Sequence, residues 1–203
     1  WRLYDYDLCT EAVGGQRWQR ALPKPFNTNQ ILMWRGESLK GKKLLLMEEQ
    51  AWDFRDLGTV LQLDMNWRLT SQVDIAFGEY AYGGLFLRMP YRSETGGRAL
   101  NSEGQDQIQA EGQPARWVAV AMPLAERADE AGVAIMDHPR NVGHPVSWRV
   151  DGHLGIAPSR CIAGPWHLPQ GQTTCSRYRI VAFGGAINSA DLAARFRHFS
   201  GVG

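Results

Sequence analysis

The chain has 203 residues, of which 44% are hydrophobic and 21% are charged, which is typical of a soluble globular protein with one sizeable core. Its 22 basic and 21 acidic side chains leave a net charge of +1. This balance argues against nucleic-acid and membrane-surface partners, which are bound through clustered positive charge, and no apolar run approaches the roughly 20 residues of a membrane span.

The chain shows no internal repeat, no low-complexity tract and no linker, so we expect one domain over residues 1–203. It begins with Trp1 rather than Met, and we include a truncated N-terminus in this expectation. No signal peptide is visible, which favours a cytoplasmic location.

Strands dominate the predicted structure. In residues 60–69, five apolar side chains at every second position alternate with polar ones, which predicts a strand with one buried face. The same alternation continues through residues 71–77. The other predicted strands are residues 43–48, 51–54, 85–89, 117–122, 132–136, 147–150, 154–157 and 176–183.

One segment near the C-terminus predicts a helix, "NSADLAARFRHF". Asn188 or Ser189 can cap its free N–H groups, and Leu192, Phe196 and Phe199 share one face. Many short strands with a single C-terminal helix predict an all-β fold, an antiparallel β-sandwich of the supersandwich or jelly-roll kind.

The stretch "GVAIMDHPRNVGHPVSWRV" ends a predicted strand in a cluster of polar residues. Histidine can act as an acid or a base near neutral pH, so His138 and His144 are candidate catalytic residues and Asp137 could orient either ring. Pro139 and Pro145 favour extended backbone in the histidines that precede them, which suits a preorganised site.

The same residues allow simpler interpretations. Asp137 and Asn141 could merely cap turns while the histidines lie at the surface. His138 and His144 could also be metal ligands, but they are six residues apart with no obvious third ligand, so we predict neither a metal site nor a cofactor.

Four further residues are candidates for substrate binding. Trp148 could stack against the apolar face of a sugar ring, and Arg88 could point into a cleft. Asn101 lies in a predicted turn and could equally donate to a ligand. Arg116 precedes Trp117 at the start of a predicted strand, and we expect Arg116 to be the one that faces away from the core.

The three cysteines, Cys9, Cys161 and Cys175, form no C-x-x-C pair. A zinc or redox motif is therefore not indicated, and we expect buried free thiols.

The order of the motifs "GEYAYGGLFLRMP", "LNSEGQ", "ARWV", "GVAIMDHPRNVGHPVSWRV" and "GHLGIAPS" resembles the PmoA-like family of uncharacterised bacterial proteins, over roughly residues 16–200. These are often named methane oxygenase PmoA, although a true methane-oxidising subunit spans membranes. The matching positions are Arg88, Asn101, Ser102, Gly104, Arg116, Asp137, His138, Pro139, Asn141, His144, Pro145 and Trp148.

The resemblance implies a β-sandwich akin to the galactose-mutarotase supersandwich and a genomic association with sugar oxidoreductases. This chain departs from the family's pattern in two ways. It lacks the upstream histidine-rich segment of typical members, and it has Tyr82 where many members have an acid, so the role of that acid cannot be transferred.

We therefore expect a carbohydrate-active enzyme that uses histidine acid/base chemistry on a sugar or keto-glycoside. Asp137, His138 and His144 would be catalytic, and Arg88, Asn101, Arg116, Asn141 and Trp148 would bind the substrate. Two alternatives remain open: a non-catalytic sugar-binding or protein-interaction sandwich, and a metal-dependent lyase. The expected partner is a small-molecule carbohydrate, and exposed sheet edges would allow a homo-oligomer.

Overall fold

The computed structural model describes residues 9–11, 26–38, 41–89, 91–124, 128–152 and 155–201. The strands are β1 (Cys9–Glu11), β2 (Phe26–Ser38), β3 (Gly41–Asp56), β4 (Val60–Ser71), β5 (Ile75–Phe77), β6 (Leu87–Arg88), β7 (Arg98–Asn101), β8 (Trp117–Pro123), β9 (Glu130–Asp137), β10 (Trp148–Asp151), β11 (Gly155–Pro158), β12 (Trp166–Leu168) and β13 (Thr173–Gly184). The helices are the single turn α1 (Gln107–Ala110), the C-terminal α2 (Ser189–Ser200), and the two 3₁₀ turns Ser93–Thr95 and Arg160–Ala163.

The strands form one large antiparallel sheet and two small ones. The large sheet has the order β1-β2-β3-β4-β13-β9-β8-β7. A three-stranded sheet, β10-β11-β6, and a two-stranded sheet, β12-β5, make up the second layer. This arrangement confirms the predicted all-β antiparallel sandwich.

The main core lies between the two layers. Val118 and Ile135 of the large sheet share one buried cluster with Trp148 and Ile156 of the three-stranded sheet. Leu46 and Leu69 share a second cluster with Leu168 of the two-stranded sheet. Period-two alternation along the long strands supplies these inward-facing side chains.

The helix α2 covers the opposite face of the large sheet, as the sequence predicts. Asn188 is its N-cap and accepts a hydrogen bond from the N–H of Asp191 at 3.1 Å. Leu192 and Phe196 pack against Trp117 of β8, so this strand is buried on both faces. No helix in the described part of the chain is long and apolar enough to span a membrane.

Several predicted boundaries are wrong. Residues 43–48 and 51–54 belong to one strand, β3, because its backbone pairs without interruption with β4 across residues 46–56. The strand predicted through residues 71–77 breaks where the N–H of Gln72 turns to the carbonyl of Leu45. The strand predicted at 85–89 is only two residues long, and residue 154 of the predicted strand 154–157 lies outside the described residues.

The cysteines follow the predicted pattern only in part. Cys161 is buried, as expected. Cys175 is exposed, because Ser176 and Tyr178 take the inward-facing positions of β13 and alternation turns Cys175 outward. The side chain of Cys9 lies outside the described part.

Candidate functional site

Asp137 organises the polar cluster at the end of β9. Its side chain is fully buried. One carboxylate oxygen, Oδ1, accepts a hydrogen bond from Asn141 Nδ2 at 2.7 Å. The other, Oδ2, lies 2.7 Å from His144 Nδ1 and accepts the N–H of Val146 at 3.2 Å. The structure therefore brings together three of the residues predicted to form a site.

Burial raises the pKa of the Asp137 carboxyl above its ordinary value, while the hydrogen bonds from Asn141, His144 and Val146 act in the opposite direction. Its orientation is fixed by three donors from a single loop. Asp137 is thus a preorganised partner for one imidazole.

His144 is the histidine that faces this carboxylate. Its side chain is 15% exposed, and its ring lies parallel to that of Phe196 with centroids 6.2 Å apart. With Nδ1 held by Asp137, the proton is favoured at that nitrogen and Nε2 is left as a base. Within the described residues, no hydrogen bond to Nε2 is present.

His138, also predicted to be catalytic, takes a different position, on the face away from the Asp137 carboxylate. It follows Asp137 directly, so strand alternation turns it to the opposite face, where its ring edge packs on Phe199 at 4.9 Å. Its Nδ1 accepts the N–H of Arg140 at 3.0 Å. Burial, reinforced by the nearby charges of Arg177 and Arg140, lowers its pKa. His138 is a buried acceptor that joins the loop to α2.

Asn141, predicted to bind substrate, makes its hydrogen bonds within the chain. Its amide nitrogen donates to Asp137 and to the carbonyl of Arg177, and its Oδ1 accepts the N–H of Arg177 at 2.7 Å. Both N–H groups and the carbonyl are therefore used within the chain. Asn141 positions the loop against β13.

Two other predicted substrate-binding residues are structural. Trp148 has no exposed surface and donates its indole N–H to the carbonyl of Ala115 at 2.8 Å, so it offers no face to a sugar. Asn101 is 1% exposed and closes its own turn, because its Oδ1 accepts the N–H groups of Glu103 and Gln105. In both residues burial and hydrogen bonds within the chain oppose the predicted contact with a ligand.

The two arginines lie at the surface. Arg116 is exposed while Trp117 is buried, as predicted, and its guanidinium lies 5.9 Å from the ring of Phe196, on which His144 also stacks. Arg116 and His144 therefore both pack against Phe196. Arg88 lies over Phe86 at 5.5 Å, and the structure does not bring it to Asp137.

The structure reveals an aromatic cleft between the two layers that sequence reasoning missed. It has a volume of about 350 Å³. We define the aromatic cleft by its lining residues Trp34, Leu46, Glu48, Trp67, Leu69, Phe77, Tyr82, Gly83, Gly84, Val142, Val146, Pro158, Arg160, Cys161, Trp166, Thr174, Ser176 and Tyr178.

A carboxylate lies in the large-sheet wall of this cleft. Glu48 is 6% exposed, and its Oε2 accepts the indole N–H of Trp34 at 2.7 Å. Its Oε1 accepts the indole N–H of Trp67 at 2.8 Å and the amide of Gln50 at 2.5 Å. The carboxylate is thus held in one orientation by three neutral donors.

The opposite wall is a stack of flat groups. The rings of Phe77 and Trp166 are parallel with centroids 3.9 Å apart, and the guanidinium of Arg160 lies 4.3 Å from the Trp166 ring. Tyr82 lines the same cleft and donates its hydroxyl to Asp151 at 2.7 Å. Tyr82 thus lies in the wall of the cleft with its hydroxyl already hydrogen-bonded within the chain.

The cleft and the Asp137 cluster share a boundary. Val142 and Val146 line the cleft and belong to the loop that carries His144, and the N–H of Val146 binds Asp137. Tyr178 lines the cleft and is the strand partner of Asp137. Burial, and secondarily the charge of Asp137, raises the pKa of Tyr178, which keeps its hydroxyl protonated.

One signal for this cleft was present in the sequence. Leu46 and Glu48 are two residues apart and therefore share a face of β3, so an acid is placed on a buried face. Its partners Trp34 and Trp67 come from different strands, and only the folded sheet brings them together. Within the described residues, no three His, Cys, Asp or Glu side chains gather as a metal site.

Comparisons with known proteins give one family and distant structural likenesses. A family model described as a family of unknown function, DUF6807, matches residues 14–197. No curated protein matches the chain significantly. Similar solved structures include a galactose mutarotase related enzyme from Lactobacillus acidophilus, with 10% identity, coverage of 87% of this chain and 71% of that chain, and a TM-score of 0.31.

A GH36 α-galactosidase variant from Geobacillus stearothermophilus, solved in complex with raffinose, is 12% identical with a TM-score of 0.30. The match covers 77% of this chain and 24% of the α-galactosidase, so this chain spans about a quarter of that protein's length.

Proposed function

The chain belongs to the family of unknown function DUF6807, and we propose that it is a carbohydrate-active protein that binds a sugar in the aromatic cleft. The observation that carries this proposal is the composition of the cleft, which places three indoles and a fixed carboxylate around one ligand-sized space. The resemblance to PmoA-like proteins supports the same class of ligand.

The cleft has the chemistry that a sugar requires. Small-molecule sites are concave and mostly apolar, with a few oriented polar groups. The indole face of Trp67 suits the C–H face of a pyranose ring, and the polar groups of Glu48, Ser176 and Arg160 suit its hydroxyls. A purely apolar ligand would form no hydrogen bond with these polar groups.

We further propose that the protein is an enzyme in which His144 is the general base and Asp137 positions it. His144 Nε2 would take a proton from a carbon beside a carbonyl, so that the C–H electron pair forms the C=C bond of an enolate and the C=O π pair moves onto oxygen. Alternatively, it would take the proton of a hemiacetal hydroxyl, whose O–H pair forms a C=O bond as the ring C–O bond breaks and its pair moves onto the ring oxygen. Asp137 would stabilise the imidazolium that forms. Val142 and Val146, which line the cleft, belong to the same loop as His144.

A non-catalytic sugar-binding module is the second candidate. It is favoured by one observation: Val142 and Val146 line the cleft, and His144, between them in sequence, does not. In that case the Asp137 cluster would only shape the loop that borders the ligand.

Tryptophan fluorescence titration against sugars, 3-keto sugars and glycosides tests the proposal, because Trp34, Trp67 and Trp166 line the cleft. A saturable change with one sugar class, lost in Trp166→Ala, is the expected result. No response to any sugar would overturn the carbohydrate proposal. Turnover of the bound sugar by the wild type, lost in His144→Gln with binding retained, would identify the enzyme over the binding module.

A further inference from the structure

We infer that Glu48 recognises a cationic group, so that the ligand of the aromatic cleft is an amino sugar whose ammonium group contacts this carboxylate. That the ligand is a sugar rests on the proposed function, and that it carries a positive charge rests on the surroundings of Glu48.

Glu48 lines the cleft and has one acceptor position that no described residue uses. A carboxylate has about four lone-pair sites. Trp34, Trp67 and Gln50 occupy three of them, with two on Oε1 and one on Oε2. Because Glu48 lines the cleft, a donor on the ligand can reach the site left on Oε2.

The negative charge of Glu48 is not balanced within the described residues. Its three partners are neutral, and no Lys or Arg in that part of the chain makes an ion pair with it. Arg160, the cation that lines the cleft, is placed over Trp166 in the opposite wall. A buried carboxylate is costly to keep charged unless a cation pairs with it.

Aromatic rings line the cleft together with Glu48. Aromatic faces attract cations through their negative π-surface, and carboxylate and ring faces together form the kind of cage that binds ammonium groups. Trp34 and Trp67 hold Glu48 by their ring edges and also line the cleft. A neutral hydroxyl could fill the last acceptor position but would leave the charge unbalanced.

The test compares matched ligands on the wild-type chain. D-Glucosamine, D-galactosamine and D-mannosamine are titrated at about pH 6, where their amines are protonated, each beside its parent hexose and its N-acetyl derivative. We expect each binding amine to bind about ten- to hundredfold more tightly than both neutral forms, as a charge-assisted hydrogen bond predicts.

Two variants locate the effect. Glu48→Gln keeps the shape of the side chain and should bring the amine-to-hexose affinity ratio close to one. The matched control is Glu49→Gln, because Glu49 is the next residue, lies on the opposite face and contacts Arg68 at 3.7 Å; its ratio should equal that of the wild type. The amine-to-hexose affinity ratio of the wild-type chain needs no variant, so it tests the inference even if Glu48→Gln fails to fold.

The outcomes separate the inference from the proposed function. Neutral hexoses that bind as tightly as the amines would overturn the inference and leave the carbohydrate proposal standing. Choline, which carries a cation without a sugar ring, is the second probe. Choline binding that is lost in Glu48→Gln, with no response to any sugar, would support the cationic site and overturn the sugar ligand. No response to sugars or choline would overturn both.

Discussion

Asp137 Oδ2 and His144 Nδ1 lie 2.7 Å apart, and this contact joins the buried end of β9 to the loop that borders the aromatic cleft. The carboxylate is completely buried while the histidine side chain is 15% exposed, so the pair runs from the core to the surface. A buried acid that fixes the tautomer of a partly exposed imidazole is the arrangement a histidine base requires.

His144→Gln tests the role of this imidazole. Glutamine can still donate to Asp137 but cannot accept a proton, so we expect turnover of any substrate to fall by about 10²–10⁴-fold while the ligand dissociation constant changes little. Steady-state kinetics and fluorescence titration on the same sample measure both quantities. Arg98→Gln, at an exposed position paired with Glu130 at 2.6 Å, is the control and should leave both unchanged. Unaltered turnover in His144→Gln would exclude His144 as the base.

Asp137 should make the free energy of unfolding depend on pH. Its folded-state pKa is raised above 3.8, chiefly by burial, so the folded chain holds this proton more tightly than the unfolded chain does. The resulting stabilisation is fully present below pH 3.8 and is lost as the pH rises through the folded-state pKa.

Urea denaturation at a series of pH values above 3.8 measures this effect. Asp137→Asn should flatten the pH dependence and also lower stability by about 1–3 kcal/mol, because an amide cannot accept every hydrogen bond that the carboxylate accepts. Glu103→Gln, a half-exposed carboxylate on the surface, is the control. Parallel curves for wild type and Asp137→Asn would show that Asp137 does not titrate in this range.

The contact between Asp137 and His144 could be predicted because all of its determinants are local. An apolar run that ends in an acid, followed within eight residues by two prolines and two histidines, places these groups at one end of a strand. The helix α2 was predictable for the same reason, since Asn188 and the spacing of Leu192 and Phe196 lie within one segment. Asp137 and His138 are adjacent, so strand alternation already predicts that they lie on opposite faces of the sheet. The extended backbone that Pro139 favours in His138 does not change this.

The aromatic cleft could not be predicted from local pattern. Trp34, Glu48 and Trp67 come from three strands, and their contacts depend on the register of β2 with β3 and of β3 with β4. For Trp148, local pattern indicated a ligand-binding residue where the structure has a buried core residue. Its sequence neighbours are polar and suggest a site, but whether its ring faces solvent or core depends on the second layer of the sandwich.

Trp148→Phe separates core packing from ligand binding. The change removes the indole N–H that binds the carbonyl of Ala115 and leaves a small gap in the core, so stability should fall by about 1–3 kcal/mol. Ligand affinity should stay at the wild-type value. Trp166→Phe, in the cleft wall, should instead weaken binding. Urea denaturation and fluorescence titration on both variants provide the comparison, and a loss of affinity in Trp148→Phe alone would restore the predicted stacking role of Trp148.

His138 should give the opposite pH dependence to Asp137. Its pKa is lowered below 6.5, first by burial and then by Arg177 and Arg140, so the folded chain holds this proton less tightly than the unfolded chain. The stabilisation from neutral His138 is present above pH 6.5 and is lost as the pH falls through the folded-state pKa.

His138→Gln keeps an acceptor for the N–H of Arg140 but does not titrate, so its free energy of unfolding should depend less on pH below pH 6.5. Urea denaturation at matched pH values measures this slope, with the exposed His167→Gln as control. If the free energy of unfolding of His138→Gln depends on pH as steeply as that of the wild type, while His167→Gln shows a weaker dependence, then the loss of stability in acid does not come from the contact between His138 and α2.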